Sequence, residues 1–141
     1  MRVNLNVLTK RKVVSSMGTG YKGGSKYYRS VGQNIIIAAA KYDYQNGRFG
    51  VSSPSTGHKT RNIGSDDPLS TAKDFYDRIA FGGIEKTYKN GALNITHMAD
   101  GTIISMRSTS NSDGTPVVEI NISGSTHTGG VKEQKIHFIK E

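Results

Sequence analysis

Thr102-Ile103-Ile104-Ser105-Met106-Arg107 and Val118-Glu119-Ile120-Asn121-Ile122 decide the fold. In the first stretch the even positions carry Ile104 and Met106, the odd ones Ile103, Ser105 and Arg107. In the second, Val118, Ile120 and Ile122 alternate with Glu119 and Asn121. A period of two sends successive side chains to opposite faces, so each stretch predicts a strand with one buried and one polar face. Such strands belong to an antiparallel sheet with a helix packed on one side. Residues 92–97, 102–107, 116–122 and 134–139 are the four strand candidates. Asp100-Gly101, Asp113-Gly114 and Gly129-Gly130 supply the turns between them.

The covering helix is legible just upstream. Leu69, Ala72, Phe75, Tyr76, Ile79 and Ala80 recur at three- and four-residue spacing. Ser65 or Asp66 caps its start, Asp66 and Asp67 favour its positive end, Pro68 suits the first turn, and Gly82-Gly83 stops it. Residues 33–44 read as a helix through three alanines or as a strand through the Ile35-Ile36-Ile37 triplet, and Asn46-Gly47 makes a turn. Residues 52–65 hold Pro54 and Gly57 and read as an exposed loop. Residues 1–30, basic and rich in Ser and Gly, read as a loosely structured entry with one short strand at 3–8.

Composition agrees with one small α+β domain. The chain has 141 residues, 17 glycines and only four leucines, which argues against a helical bundle. The longest strongly apolar run, residues 35–40, is too short to span a bilayer as a helix, and no secretory signal is visible. Without cysteine, disulfide scaffolds, thiolate metal sites and Cys nucleophiles are excluded.

Net charge is +8, but the distribution matters more. Residues 1–62 carry eleven Lys and Arg against Asp43 alone; residues 63–141 carry eight basic and ten acidic side chains. A half-chain this basic attracts polyanions. Tyr21, Tyr27, Tyr28, Tyr42, Tyr44 and Phe49 are interleaved with its cations, and ring faces beside cations suit the unstacked bases of single-stranded RNA. Lys22, Lys26 and Arg29 are RNA-binding candidates on this ground. A solvated basic face with half-buried tyrosines is the plainer alternative.

Four motif classes bear on chemistry. The four histidines are scattered and form no metal-ligand spacing. Asp113 with Glu133-x-Lys135 weakly resembles the Asp…Glu-x-Lys of magnesium nucleases and keeps a metal-dependent DNase open. No Gly-x-Ser-x-Gly is present. In the third class, His58, Lys59 and Arg61 place an imidazole, an ammonium and a guanidinium within four residues: His58 exchanges a proton near neutral pH while Lys59 and Arg61 hold a phosphate. In the fourth, Arg107 leads into Ser108-Thr109-Ser110-Asn111-Ser112, and an Arg among hydroxyls suits a phosphate. Lys135 and His137 alternate with Ile136 and Phe138, so they share a face and add a second imidazole. These parts fit metal-free RNA cleavage, in which a base takes the 2′-OH proton, cations stabilise the phosphorane, and an acid protonates the leaving 5′-oxygen. A non-enzymatic RNA-binding module remains a further alternative.

A set of short pieces carries a family resemblance. They are His58-Lys59-Thr60-Arg61-Asn62, Asp67-Pro68, Ala72-x-x-Phe75, Gly82-Gly83, Met98-Ala99-Asp100-Gly101-Thr102, Arg107, Ser112-Asp113-Gly114-x-Pro116-Val117-Val118-Glu119-Ile120 and Lys135-Ile136-His137-Phe138. Together they resemble the C-terminal toxin domains of bacterial polymorphic toxins, of the LXG and contact-dependent inhibition types. The match covers residues 56–139, with residues 1–55 as a basic N-terminal part of the same domain.

The resemblance implies a barnase/EndoU/colicin/RelE-like ribonuclease, with a helical N-terminal part packed on a four-stranded antiparallel sheet. It implies cleavage of RNA, often tRNA, without a metal or other cofactor. His58 and His137 would be the acid–base candidates, Arg107 and Lys135 the phosphate ligands, and Ser110 and Thr115 hydroxyl contacts. The expected partners are RNA, a cognate acidic immunity protein at 1:1, and a host activating factor in some cases. Delivery would be as part of a larger secreted or cell-surface toxin, with action in the target-cell cytoplasm. The chain shows neither an LXG delivery region nor a Val-Glu-Asn-Asn junction, and is expected to be an excised toxin domain.

Overall fold

The structure, a computed structural model, describes residues 30–53, 57–110, 114–122 and 131–141, with Ser53 and residues 57–59 described by backbone alone. The expected strand at 3–8, the cations Lys22, Lys26 and Arg29, Asp113 and the 129–130 turn lie outside the described residues.

Helix α1 spans Val31–Ala39, which resolves the choice at the Ile triplet in favour of helix. Its start carries a reciprocal capping box: Gln33 N–H donates to Ser30 Oγ (3.1 Å), and Ser30 N–H donates to Gln33 Oε1 (2.9 Å). Val31, Asn34, Ile35 and Ala38 are buried while Ile36 is exposed, the pattern of one helical stripe. The strands β1 (Tyr44–Gln45) and β2 (Arg48–Phe49) then form a hairpin whose turn residues, Asn46 and Gly47, both take positive φ.

Helix α2, Pro68–Ile79, is where the periodicity predicts it, but its cap is Asp67, whose Oδ1 accepts from Ser70 N–H (3.2 Å). Neither Ser65 nor Asp66 caps it. Ser65 is still in a strand, where its hydroxyl accepts from Asp67 N–H and pairs with Thr71 Oγ1. Ala72, Phe75, Tyr76 and Ile79 form the buried stripe. The two helices are tied by Asn34, whose Nδ2 donates to the carbonyls of Ile79 (2.8 Å) and Phe81 (2.9 Å) and so satisfies the end of α2.

Among the described residues seven strands form the main sheet, in the order β3-β4-β9-β8-β7-β6-β5. They are β3 (Val51–Ser53), β4 (Gly57–Ser65), β5 (Ile84–Tyr88), β6 (Leu93–His97), β7 (Ile103–Arg107), β8 (Val117–Asn121) and β9 (Glu133–Lys140). The four expected strands are present as the antiparallel meander β6–β9. Four is nevertheless too few. β5 adds antiparallel to one edge. At the other edge β4 adds parallel to β9, with β3 antiparallel beyond it. The stretch read as an exposed loop therefore belongs to the sheet: its ladder is made by backbone groups, and the polar run Thr60-Arg61-Asn62 gives no apolar alternation to announce it.

One face of the sheet carries the core. Ile63, Ile104, Met106, Val118, Ile120, Ile136 and Phe138 meet the stripes of α1 and α2. Phe75 is central, with ring centroids 4.9 Å from Phe49, 5.3 Å from Tyr42 and 5.5 Å from Phe138. Each such buried aliphatic or aromatic side chain contributes about 1.5–3 kcal/mol relative to exposure. The small hairpin is stitched on by buried Gln134, which accepts from Phe49 N–H (2.9 Å) and donates to Gly47 O (2.9 Å).

Candidate functional site

The opposite face of the sheet is free of helices among the described residues. Register fixes what stands on it, because directly opposed residues point the same way. One transverse row runs Leu93, Arg107, Val117, His137, Asn62 across β6, β7, β8, β9 and β4. The next runs Ile95, Ser105, Glu119, Lys135, Thr60. A third brings Ile103, Asn121 and Glu133 together. The polar faces of four strands thus converge on one surface, and a concavity of about 390 Å³ opens there, lined by Thr60, Ser105, Glu119, Asn121, Glu133 and Lys135 among others.

Three of the sequence candidates share this face. Arg107 closes β7, half-buried; Lys135 lines the concavity as the register partner of Glu119; His137 follows two residues on along β9. Neighbouring strands lie about 4.8 Å apart and alternate residues about 6.7 Å apart, so Arg107, Glu119, Lys135 and His137 frame an area the size of a phosphodiester and its flanking sugars. His137 is only 4% exposed, and its Nδ1 is hydrogen-bonded to Thr115 Oγ1 at 2.8 Å.

That bond changes the reading of Thr115 from a phosphate contact to a partner of the imidazole. Ser110 is buried; its N–H donates to Thr115 O (2.7 Å) and its carbonyl accepts from Gly114 N–H (3.3 Å), so its backbone closes the β7–β8 connection. His58 and Lys59 lie in β4 just before Thr60, the partner of Lys135, and not on an exposed loop; their side chains lie outside the described set.

Arg61, expected to hold a phosphate, is instead turned away from this face. Opposite Ile136, it faces the core side, where Nε donates to Phe49 O (3.0 Å) and a terminal nitrogen to Gly50 O (2.7 Å). Burial, and then nearby Arg48, pulls its guanidinium below the ordinary value. An isolated His-Lys-x-Arg cannot reveal this, because strand alternation sends Arg61 to the face opposite that of Thr60 and Asn62.

Glu119 is the group the candidate set lacked. Its alternation with Val118 and Ile120 was visible, but only the pairing of β8 with β9 sets its carboxylate beside Lys135. Among the described residues no group of three His, Asp or Glu side chains is disposed to hold a metal ion. The Asp113 of the magnesium-nuclease pattern lies outside them. No family model, curated protein or solved structure matches the chain.

Proposed function

We propose that this domain is a metal-independent endoribonuclease of the toxin type, working on the face of its sheet opposite the helices α1 and α2. The observation that carries the reading is the placement of a carboxylate, an imidazole and two cations (Glu119, His137, Arg107 and Lys135) in two adjacent rows of one sheet face, with Glu119 and Lys135 lining the concavity.

In the proposed reaction Glu119 accepts the proton of the ribose 2′-OH, the 2′-oxygen bonds to phosphorus, and the P–O5′ bond breaks. His137, as imidazolium, donates its Nε2 proton to the departing 5′-oxygen, while Nδ1–H donates to Thr115 Oγ1. Arg107 and Lys135 stabilise the extra negative charge on the phosphorane oxygens. The products are a 2′,3′-cyclic phosphate and a 5′-hydroxyl; protons exchanged with water restore both groups. DNA, lacking the 2′-OH, is inert to this route.

His58 competes with Glu119 for the role of base. Comparing Glu119→Gln with His58→Ala decides between them: the base loses about 100-fold or more in single-turnover rate with its fold intact. His137 must present Nε2 to the substrate despite its low exposure, so His137→Gln must lose activity in the same assay.

The basic half of the chain supports tRNA or another folded RNA as substrate. The same charge suits an acidic immunity protein, and the proposal extends to a 1:1 complex with it, delivery as part of a larger toxin and action in the target-cell cytoplasm. An immunity protein recruited this way associates fast at low salt and more slowly as salt rises; a salt-independent association rate contradicts it.

A further inference from the structure

The polar site occupies only part of the open face. Beyond Arg107 the same transverse row continues to Leu93 on β6 and Tyr88 on the edge strand β5. Tyr88 is 44% exposed. Thr87, its neighbour, bonds Asn94 on the other face, which fixes Tyr88 to the open side. In the next row Lys86 stands opposite Ile95, and beyond it lies exposed Ile84 opposite His97. Among the described residues, the open-face side chains of β5, β6 and β7 include two cations, Lys86 and Arg107, and no carboxylate. The carboxylates of this face, Glu119 and Glu133, stand on β8 and β9.

The strip thus combines an exposed ring, an apolar floor and cations, continuous with the phosphate-binding Arg107. Tyr88 is held at a tight connection: Lys89, Asn90 and Gly91 all take positive φ, and Ala92 N–H closes the turn on Lys89 O. Two strand spacings put its Cα about 10 Å from that of Arg107, the reach of a base on a nucleotide flanking the bound phosphate. Every nucleobase offers a π-face, whereas an acidic protein surface would leave the apolar floor without complement.

We infer that Tyr88 is a stacking platform for an unpaired nucleobase next to the scissile phosphate, with Lys86 contacting the adjoining backbone, so that single-stranded RNA runs across the strands from β9 toward β5. The inference rests on the open face being the RNA site. It adds a substrate requirement: productive RNA must be unpaired for at least one nucleotide beyond the cleaved bond.

The test uses a 2′-O-methyl nonanucleotide carrying one 2-aminopurine, which lacks the attacking hydroxyl and stays intact. Wild-type protein quenches its fluorescence on binding. Tyr88→Ala loses the quenching and binds about 5- to 150-fold more weakly, while Tyr88→Phe retains both. Lys86→Ala lowers the slope of log affinity against log salt by about one, without changing the quenching. Quenching and affinity that survive Tyr88→Ala, or that Tyr88→Phe also abolishes, overturn the platform even if the protein cleaves RNA. Tyr88-dependent quenching by a protein that cleaves no natural RNA upholds the platform and overturns the reaction. A wild-type protein that neither binds nor cleaves overturns both.

Discussion

Thr115 Oγ1 and His137 Nδ1 are hydrogen-bonded at 2.8 Å, joining the residue that leads into β8 to a buried imidazole on β9. In the proposed reaction this bond orients the imidazole, and Thr115 acts as a positioning residue. Thr115→Val should lower the cleavage rate about 3- to 10-fold, whereas Thr115→Ser, which keeps the hydroxyl, should restore it. A rate loss that Thr115→Ser does not rescue would mean a packing defect.

Arg61 is predicted to matter for folding and not for RNA. Arg61→Met removes both donors to the Phe49 and Gly50 carbonyls and should cost about 2–4 kcal/mol in denaturant unfolding. The salt dependence of RNA binding should stay that of the wild type. A decrease in its slope by about one would instead return Arg61 to the phosphate ligands.

Gly50 takes φ +70, and a Cβ there would lie 2.4 Å from the Asn62 carbonyl oxygen. Since that contact is backbone and cannot swing away, Gly50→Ala should destabilise by about 2 kcal/mol or more. Gly91, also at positive φ but with open space around it, serves as the control. Gly91→Ala should cost about 1 kcal/mol, the conformational part alone. Equal losses at the two sites would show that the close approach to β4 contributes nothing.

Asp74 joins the end of α1 to α2: it accepts from Lys41 Nζ (3.1 Å), Arg78 Nε (2.8 Å) and the Tyr42 hydroxyl. Burial alone would raise its carboxyl, but the hydrogen bonds from Arg78, Tyr42 and Lys41 outweigh it and hold the group below the ordinary carboxylate value. A depressed folded-state value means stability that is present above the unfolded pKa, about 3.9, and lost as pH falls through the lower folded one. Solvent screening at this half-exposed site limits the effect to about 1 kcal/mol. Urea titrations between pH 2 and 7 should therefore show Asp74→Asn less stable than wild type at pH 7 and converging with it at the acid end. A constant gap would contradict the linkage.

The parts of the fold that were legible are those in which side chains repeat. α2 has its stripe in Ala72, Phe75, Tyr76 and Ile79, and β7 and β8 their alternation. β5 was not legible because all five of its residues are exposed at a sheet edge, leaving no contrast between faces. β4 was hidden because Pro54 and Gly57 advertise a loop and Arg61 places a cation on the core side. For the site, alternation along β9 was enough to set Lys135 and His137 on one face. Glu119 needed the pairing of β8 with β9, and the role of Thr115 needed side-chain geometry across 22 residues. Local periodicity cannot supply relations between strands.

The most direct measurement is end-group analysis of total bacterial RNA incubated with the protein in EDTA, wild type beside Glu119→Gln and His137→Gln. The proposed reaction predicts discrete wild-type fragments with 2′,3′-cyclic phosphate and 5′-hydroxyl ends, and little or no cleavage by either variant. Intact RNA in EDTA, or cleavage undiminished in both variants, would contradict a metal-independent site on the open face of the sheet.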